Sequence, residues 1–254
     1  MKDYIAYLQF DDICQEELIT LFNDDINNNR KKVVVTPNLD GMRIAYKDST
    51  ICNYINSADY VTIDGKPVLW IAKTLKKKQF KNKISGSDLS LRVLEEANKY
   101  CHSITIFGGA EGVAEKAKEN INLKYPNIKV INTICPEFGY EKKPEKVREY
   151  IEKINEGNPN YVFLCTGFPK TERFFFENYE LFGSSIYLCV GATVDFIAGN
   201  IKRAPKWMSD HGLEWLYRLT KDFRRLFTRY FKDGLFLFKI LFLCIFTNKY
   251  KKKK

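Results

Sequence analysis

Six short apolar runs separated by helical patterns constrain this chain more than any other feature. Val33–Thr36, Tyr60–Ile63, Ser103–Phe107, Ile128–Asn132, Tyr161–Cys165 and Ser184–Cys189 are rich in Val, Ile, Tyr and Phe, as strands are. Between them lie helical stretches. Ser87–Tyr100 puts Leu89, Val93, Leu94 and Ala97 on one side, and Gly112–Lys124 and Pro144–Asn155 read as helices too. Strand alternating with helix means βαβ units, so the expected class is α/β: a Rossmann-like, mostly parallel sheet with helices on both faces. A chain of 254 residues, 45% hydrophobic, can bury a core of that size.

Charge divides the chain near residue 200. Residues 200–254 carry fifteen Lys/Arg and four Asp/Glu, or +11, whereas residues 1–199 carry twenty-six and twenty-seven, or −1. The expected organisation is therefore an α/β core over residues 1–199 and a basic appendage over 200–254 that meets an anionic surface. A nucleic-acid-binding adaptor would spread basic and aromatic residues through the fold, and a neutral body argues against it. The N-terminal segment is acidic and lacks a long apolar stretch, so no signal peptide is read there and a cytosolic location is expected. Seven cysteines, an odd number with no CxxC or CxxH spacing, read as reduced thiols rather than a disulfide frame or a zinc site.

Ligands of open parallel sheets bind beyond the C-terminal ends of the strands. Polar residues or glycines follow five of the six runs: Thr36 and Asn38, Asp64 and Gly65, Gly108 and Gly109, Thr166 and Gly167, Gly191 and Asp195. Each taken singly can be a turn or a helix cap. Gly108 and Gly109 join a strand to a helix, where backbone amides can face a phosphate. Their spacing fails the dinucleotide fingerprint and no acid ends the next strand, which speaks against a dinucleotide oxidoreductase. Asp64 can act as a general base toward a hydroxyl, or simply form an Asp-Gly turn; Asp195 is a second carboxylate candidate. No DxD occurs, and His102 and His211 lack ligand spacing, so no metal site is expected. A diphosphate leaving group would then rely on arginines, lysines and helix dipoles.

Beyond Asp210, Arg218, Lys221, Arg225, Arg229 and Lys232 recur at three- or four-residue steps, beside Leu216, Leu219, Phe223, Phe227 and Tyr230. This spacing predicts a basic amphipathic helix of the kind that lies on anionic membranes. Gly234–Phe246 adds thirteen residues, apolar except for Lys239, too few for the roughly twenty a bilayer crossing needs.

In this order the motifs resemble the WecG/TagA/CpsF family (glycosyltransferase family 26). The likeness covers about residues 33 to 230 and includes Thr36-Pro-Asn38, Ala58-Asp-Tyr-Val-Thr-Ile-Asp64-Gly65, Gly86-Ser-Asp88-Leu89 and Phe107-Gly-Gly109. Further on come Tyr125-Pro126 and Gly167-Phe-Pro169-Lys170-Thr171-Glu172. Most specific are Gly191-Ala-Thr-Val-Asp195-Phe-Ile-Ala-Gly199, Arg203-Ala-Pro205 and Gly212-Leu-Glu-Trp-Leu-Tyr-Arg218-Leu219.

The resemblance implies an inverting, metal-independent, cofactor-free transferase of cell-surface polysaccharide or teichoic-acid biosynthesis. The donor would be a UDP-sugar, of N-acetylmannosamine or another hexose, and the acceptor a polyprenyl-diphosphate-linked sugar. The enzyme would sit peripherally on the inner face of the plasma membrane. Carried over residue by residue, Asp64 is the base, Thr36, Asn38 and Asp195 line the pocket, and Arg218 and Arg225 hold the donor diphosphate; beyond the resemblance, Arg203, Gly108 and Gly109 are expected to steady the same diphosphate.

Three departures touch these expectations. Thr171 stands between Lys170 and Glu172, beside Gly167, where the family carries glutamine; Lys83 replaces an arginine and loses its bidentate fork; and Asp222-Phe223 replaces a Glu-Pro that signals a kink. The oligomeric state, including a homo-oligomer, is left open by the sequence.

Overall fold

The computed structural model describes residues 2–77, 79, 80, 82–201, 204, 205, 208 and 213–247, without the side chains of Glu214 and Arg225. All six expected runs become strands of one sheet: β3 Lys32–Val35, β4 Tyr60–Val61, β5 Ser103–Gly108, β6 Lys129–Ile134, β7 Tyr161–Cys165 and β8 Ile186–Cys189. Their order is β4-β3-β8-β7-β5-β6 and every pairing is parallel. The sequence reading did not contain the antiparallel hairpin of β1 (Lys2–Ile5) and β2 (Leu8–Asp11). It serves the short edge strand β4, because the Asp11 carboxylate accepts from the Val61 N–H at 2.8 Å and satisfies an edge donor.

The helices of the core are α1 Gln15–Asn27, α2 Leu39–Lys47, α3 Ser49–Ser57, α4 Lys66–Thr74, α5 Gly86–Lys99, α6 Val113–Lys124, α7 Pro144–Asn155, α8 Lys170–Glu177 and the short α9 Thr193–Ile197. Side chains of successive strand residues point to opposite faces and so divide the apolar interior into two layers. Val33, Val35, Val162, Leu164 and Tyr187 pack with α2, α3, α4, α7, α8 and the hairpin. Val34, Tyr161, Phe163, Ile186 and Leu188 pack with α1, α5, α6 and α9. The crossovers β3→β4, β6→β7 and β7→β8, which step toward the β4 edge, run through the first layer. Those stepping the other way, β4→β5 by α5 and β5→β6 by α6, use the second. That segregation is what crossovers of a single hand require. It sends the chain to opposite faces after the neighbouring strands β5 and β7, and again after β3 and β8, opening crevices at their C-terminal ends.

Two helices close the described chain: α10 Glu214–Lys221 and α11 Phe223–Phe246. The expected single amphipathic helix is broken at Asp222 (φ −145°, ψ 65°), even though the family's proline is absent. Trp215 and Tyr230 meet edge to face with centroids 6.0 Å apart, so α10 lies beside α11. Phe236, Ile240 and Cys244 of α11 are nearly or fully buried in the first apolar layer. At roughly 1.5–3 kcal/mol per large apolar side chain, their burial holds the helix on the core. Among the described residues no helix is long and apolar enough to cross a membrane. All seven cysteines are free, and Cys165, Cys189 and Cys244 are buried.

Candidate active site

The sharpest turn at the sheet edge is made where β5 ends. Gly108 has φ +122°, and a Cβ there would lie 2.4 Å from the Cys165 carbonyl carbon, so only glycine lets β5 and β7 end side by side. Gly109 follows against Val113 and Val194, which places it next to α9 and therefore near Asp195. A packing requirement thus accounts for the identity of Gly108 without a ligand. Gly86 plays a similar part at the start of α5, where a Cβ would meet Thr36 Oγ1 at 3.0 Å and Val190 Cα at 3.3 Å. Its absence brings the segment that carries Lys83 onto the ends of β3 and β8.

Asn38 caps α2, its side-chain oxygen accepting from the Gly41 N–H at 3.0 Å. The Thr36 hydroxyl donates to the Cys189 carbonyl at 3.4 Å. Asp64 follows β4, and its N–H reaches back to the Pro37 carbonyl at 3.4 Å, tying the β3 and β4 loops together. These loops, the N-terminal turn of α4 and the two C-terminal helices enclose a cavity of about 370 Å³. Four of the sequence-derived residues line it: Asn38, Asp64, Lys83 and Arg218. Arg218 also places its guanidinium 5.2 Å from the centroid of Phe196, the neighbour of Asp195. One arginine of the appendage therefore connects the Asp64 cavity with the α9 end of the sheet.

The remaining expectations fall elsewhere. Thr36, Gly108, Gly109, Gly167 and Asp195 lie along the same C-terminal edge but do not line the cavity. Thr171 is buried, its hydroxyl bonded to that of Thr166 at 2.9 Å, so it completes the β7–α8 turn. Glu172 is 5% exposed, and one of its carboxyl oxygens has no hydrogen-bond partner. Arg203 lies outside the described residues, as does the side chain of Arg225.

Burial pushes the Glu172 carboxyl up to about 8 from 4.5. A native carboxyl that holds its proton longer than the unfolded one binds more protons than the unfolded state between those values. Stability therefore falls as pH rises from about 4.5 to 8. We expect Glu172→Gln to flatten that slope and raise the denaturation midpoint at pH 8 relative to the parent, with little difference at pH 4. A parallel pH profile in the two proteins would contradict this.

Sequence reasoning missed the far wall. Asp40, Arg229, Tyr230, Asp233 and Leu237 line the cavity, as do Trp70 and Trp215. Asp40 and Asp233 flank Arg43: the Arg43 guanidinium pairs with the Asp40 carboxylate and, through Nε at 2.7 Å, with Asp233. Arg229 Nε stands 3.0 Å from the other Asp40 oxygen. This corrects the single basic face expected for residues 218–232, because Arg229 turns to the core and Arg218 to α9. The break at Asp222 and the Asp40 carboxylate on α2 override the helical periodicity. Burial pushes the Asp233 carboxyl up despite Arg43, so the group depends on its partner. Arg43→Met should cost at least about 2 kcal/mol in chemical denaturation, since it leaves two mostly buried carboxylates to share Arg229, which stands 3.0 Å from Asp40 and 3.9 Å from Asp233. No local signal marks this cluster, which joins Arg43 to Asp233 across 190 positions of the chain.

An α/β sheet whose C-terminal edge carries a carboxylate-bearing cavity capped by a basic helix defines a class, the glycosyltransferases, once comparison is added. The profile of the glycosyl transferase WecG/TagA/CpsF family matches residues 4–251, and the chain belongs to that family. It is 31% identical over 188 residues to the N-acetylglucosaminyldiphosphoundecaprenol N-acetyl-beta-D-mannosaminyltransferase of Bacillus subtilis strain 168, covering 74% of this chain and 70% of that one. The enzyme of the same name from Staphylococcus aureus strain MW2 is 28% identical over 226 residues, 89% of this chain and 85% of the relative. A third, from Bacillus spizizenii strain W23, is 28% identical over 194 residues, 76% and 73% of the two chains.

Proposed function

We propose that this glycosyltransferase moves N-acetylmannosamine or a closely related hexose from a UDP-sugar to a sugar carried on a polyprenyl diphosphate, with inversion at the anomeric carbon. The observation that carries the reading is the cavity in which Asp64 and Arg218 both take part, one from the sheet edge and one from the appendage. The names of the relatives supply the acceptor and sugar class.

In this reading the Asp64 carboxylate accepts the proton of an acceptor hydroxyl. The freed oxygen attacks the anomeric carbon from the face opposite the UDP group, and the bond to UDP breaks as the new glycosidic bond forms. Arg218 and Lys83 balance the charge that develops on the departing diphosphate, a task for preorganised cations. Asn38 and Thr36 hold the loop that presents Asp64. Arg225, by resemblance, and Arg203 are assigned to the same diphosphate. Since side-chain cations carry that charge, turnover is expected to persist in excess EDTA; loss on chelation with recovery in magnesium or manganese would show that a metal does this work. The test of the whole reading is transfer from a panel of UDP-sugars to a short-chain prenyl-diphosphate N-acetylglucosamine. Transfer from none of them would refute it.

Residues 200–254 are assigned to membrane association. On α11, Phe227, Phe231, Phe238 and Phe242 are half to three-quarters exposed, and they lie opposite the face that buries Phe236 and Ile240. A helix apolar on both sides has one face for the core and one for a second apolar phase. Replacing Phe238 and Phe242 by serine should weaken partitioning to vesicles by about a hundredfold or more, at roughly 1.5–3 kcal/mol per phenylalanine. Turnover of a water-soluble acceptor should be unaffected. Unchanged sedimentation with vesicles would show that this face meets something other than lipid.

A further inference from the structure

The near-neutral total of residues 1–199 conceals a segment of one sign. Between Gly65 and Ser87 there are seven lysines, all within residues 66–83, and no Asp or Glu. The other 181 residues of the core carry nineteen Lys/Arg against twenty-seven Asp/Glu, or −8. A +7 segment on a −8 body is a local field, and a whole-domain charge count cancels it.

Four of these lysines, Lys66, Lys73, Lys76 and Lys77, come together on one surface. Helix α4 and the turn after it form an open depression of about 550 Å³ lined by Lys66, Leu69, Trp70, Lys73, Lys76 and Lys77, among others. Lys73 and Lys76 are exposed, and Trp70 is 50% exposed. Exposed lysines beside apolar lining residues and a half-exposed tryptophan match the chemistry of the lipid headgroup zone, where indole rings settle and ammonium groups meet phosphate. Lys77 is held in its place by the Asp3 carboxylate at 2.6 Å, which fixes the turn to the β1 hairpin.

Position gives this surface its meaning. Helix α4 packs against α11, and the two form facing parts of the cavity wall. Lys66, Pro67 and Trp70 come from one, and Tyr230, Asp233 and Leu237 from the other. A single apolar helix stripe is a line of attachment and leaves rotation about that line unconstrained. A second contact beside it sets the orientation. We propose that the lysines and Trp70 of residues 66–77 form a second docking surface for an anionic phospholipid bilayer. Together with α11 it straddles the active-site cavity and holds it at the lipid surface. This rests on the reading that the acceptor is lipid-borne.

The test is co-sedimentation of the full-length chain with vesicles of phosphatidylcholine alone or mixed with phosphatidylglycerol, comparing the parent with a Lys73→Gln, Lys76→Gln double variant. Each lysine near anionic lipid contributes about fivefold, so the variant should partition about thirtyfold less to the phosphatidylglycerol vesicles. On phosphatidylcholine alone the two should match, and added salt should narrow the difference. Turnover of a water-soluble acceptor, which also reports folding, should be the same for both. Binding to anionic vesicles that the variant retains within about twofold, equal weakening on both lipids, or a parent that ignores phosphatidylglycerol would each overturn the proposal. Lysine-dependent binding by a chain that transfers no sugar would sink the transfer reaction and leave the surface standing.

Discussion

Asp64→Asn is expected to lower kcat at least about a hundredfold while leaving donor affinity nearly unchanged. The substitution keeps the size and hydrogen-bonding reach of the side chain and removes its basicity. Asp64 lies on the loop bonded to the Pro37 carbonyl, and it shares the cavity with Lys83 and Arg218. Donor binding read by titration calorimetry then separates chemistry from assembly of the site. Turnover within about tenfold of the parent would transfer the base role to Asp195 or to the substrate.

The second large effect concerns the appendage. A chain ending at Gly199 should be inactive toward lipid-borne and water-soluble acceptors alike, because it loses Arg218 and the entire α11 wall of the cavity. Ending the chain at Gly234 does not separate anchoring from catalysis. That cut removes Phe236, Ile240 and Cys244 from the apolar core, so it destabilises the body as well as removing the proposed lipid-facing side of α11. Arg218→Ala is the cleaner companion, since α10 remains. It should reduce kcat/KM by about a hundredfold or more on both acceptors, in line with the loss of one charge-stabilising donor. Full-rate turnover by the Gly199 chain would reduce the appendage to an anchor and Arg218 to a surface charge.

Much of this was legible along the chain. Each of the six strands was visible as a short β-branched and aromatic run, because a parallel sheet covered on both faces needs apolar residues at consecutive positions. The helices α5, α6 and α7 showed as 3.6-residue periodicity. The strand-end residues Thr36, Asn38, Asp64, Gly108 and Asp195 were found because a parallel sheet brings its C-terminal ends to one edge. The hairpin was not visible, since its eight strand residues mix acids with single apolar positions and its partners, Asn56 and Val61, lie about 50 positions away. The tail was legible in composition and misread in geometry. Counting every third or fourth residue grouped Arg218 with Arg229, whereas the break at Asp222 and the Asp40 carboxylate on α2 turn them to different partners.

Residue order and local chemistry therefore settled the α/β class, the edge on which the site lies, the Asp64 candidate and the basic end of the chain. These follow from periodicity and from chain direction, which are local properties. Tertiary structure alone decided which strand-end residues share a cavity, that Arg43 joins Asp40 to Asp233, and that α11 shows apolar residues to both the core and the outside. The same holds for the place of Lys73 and Lys76 beside the cavity, which follows from the packing of α4 against α11. Each of these depends on which surfaces meet after the chain has crossed the sheet, and no window of neighbouring residues contains that information.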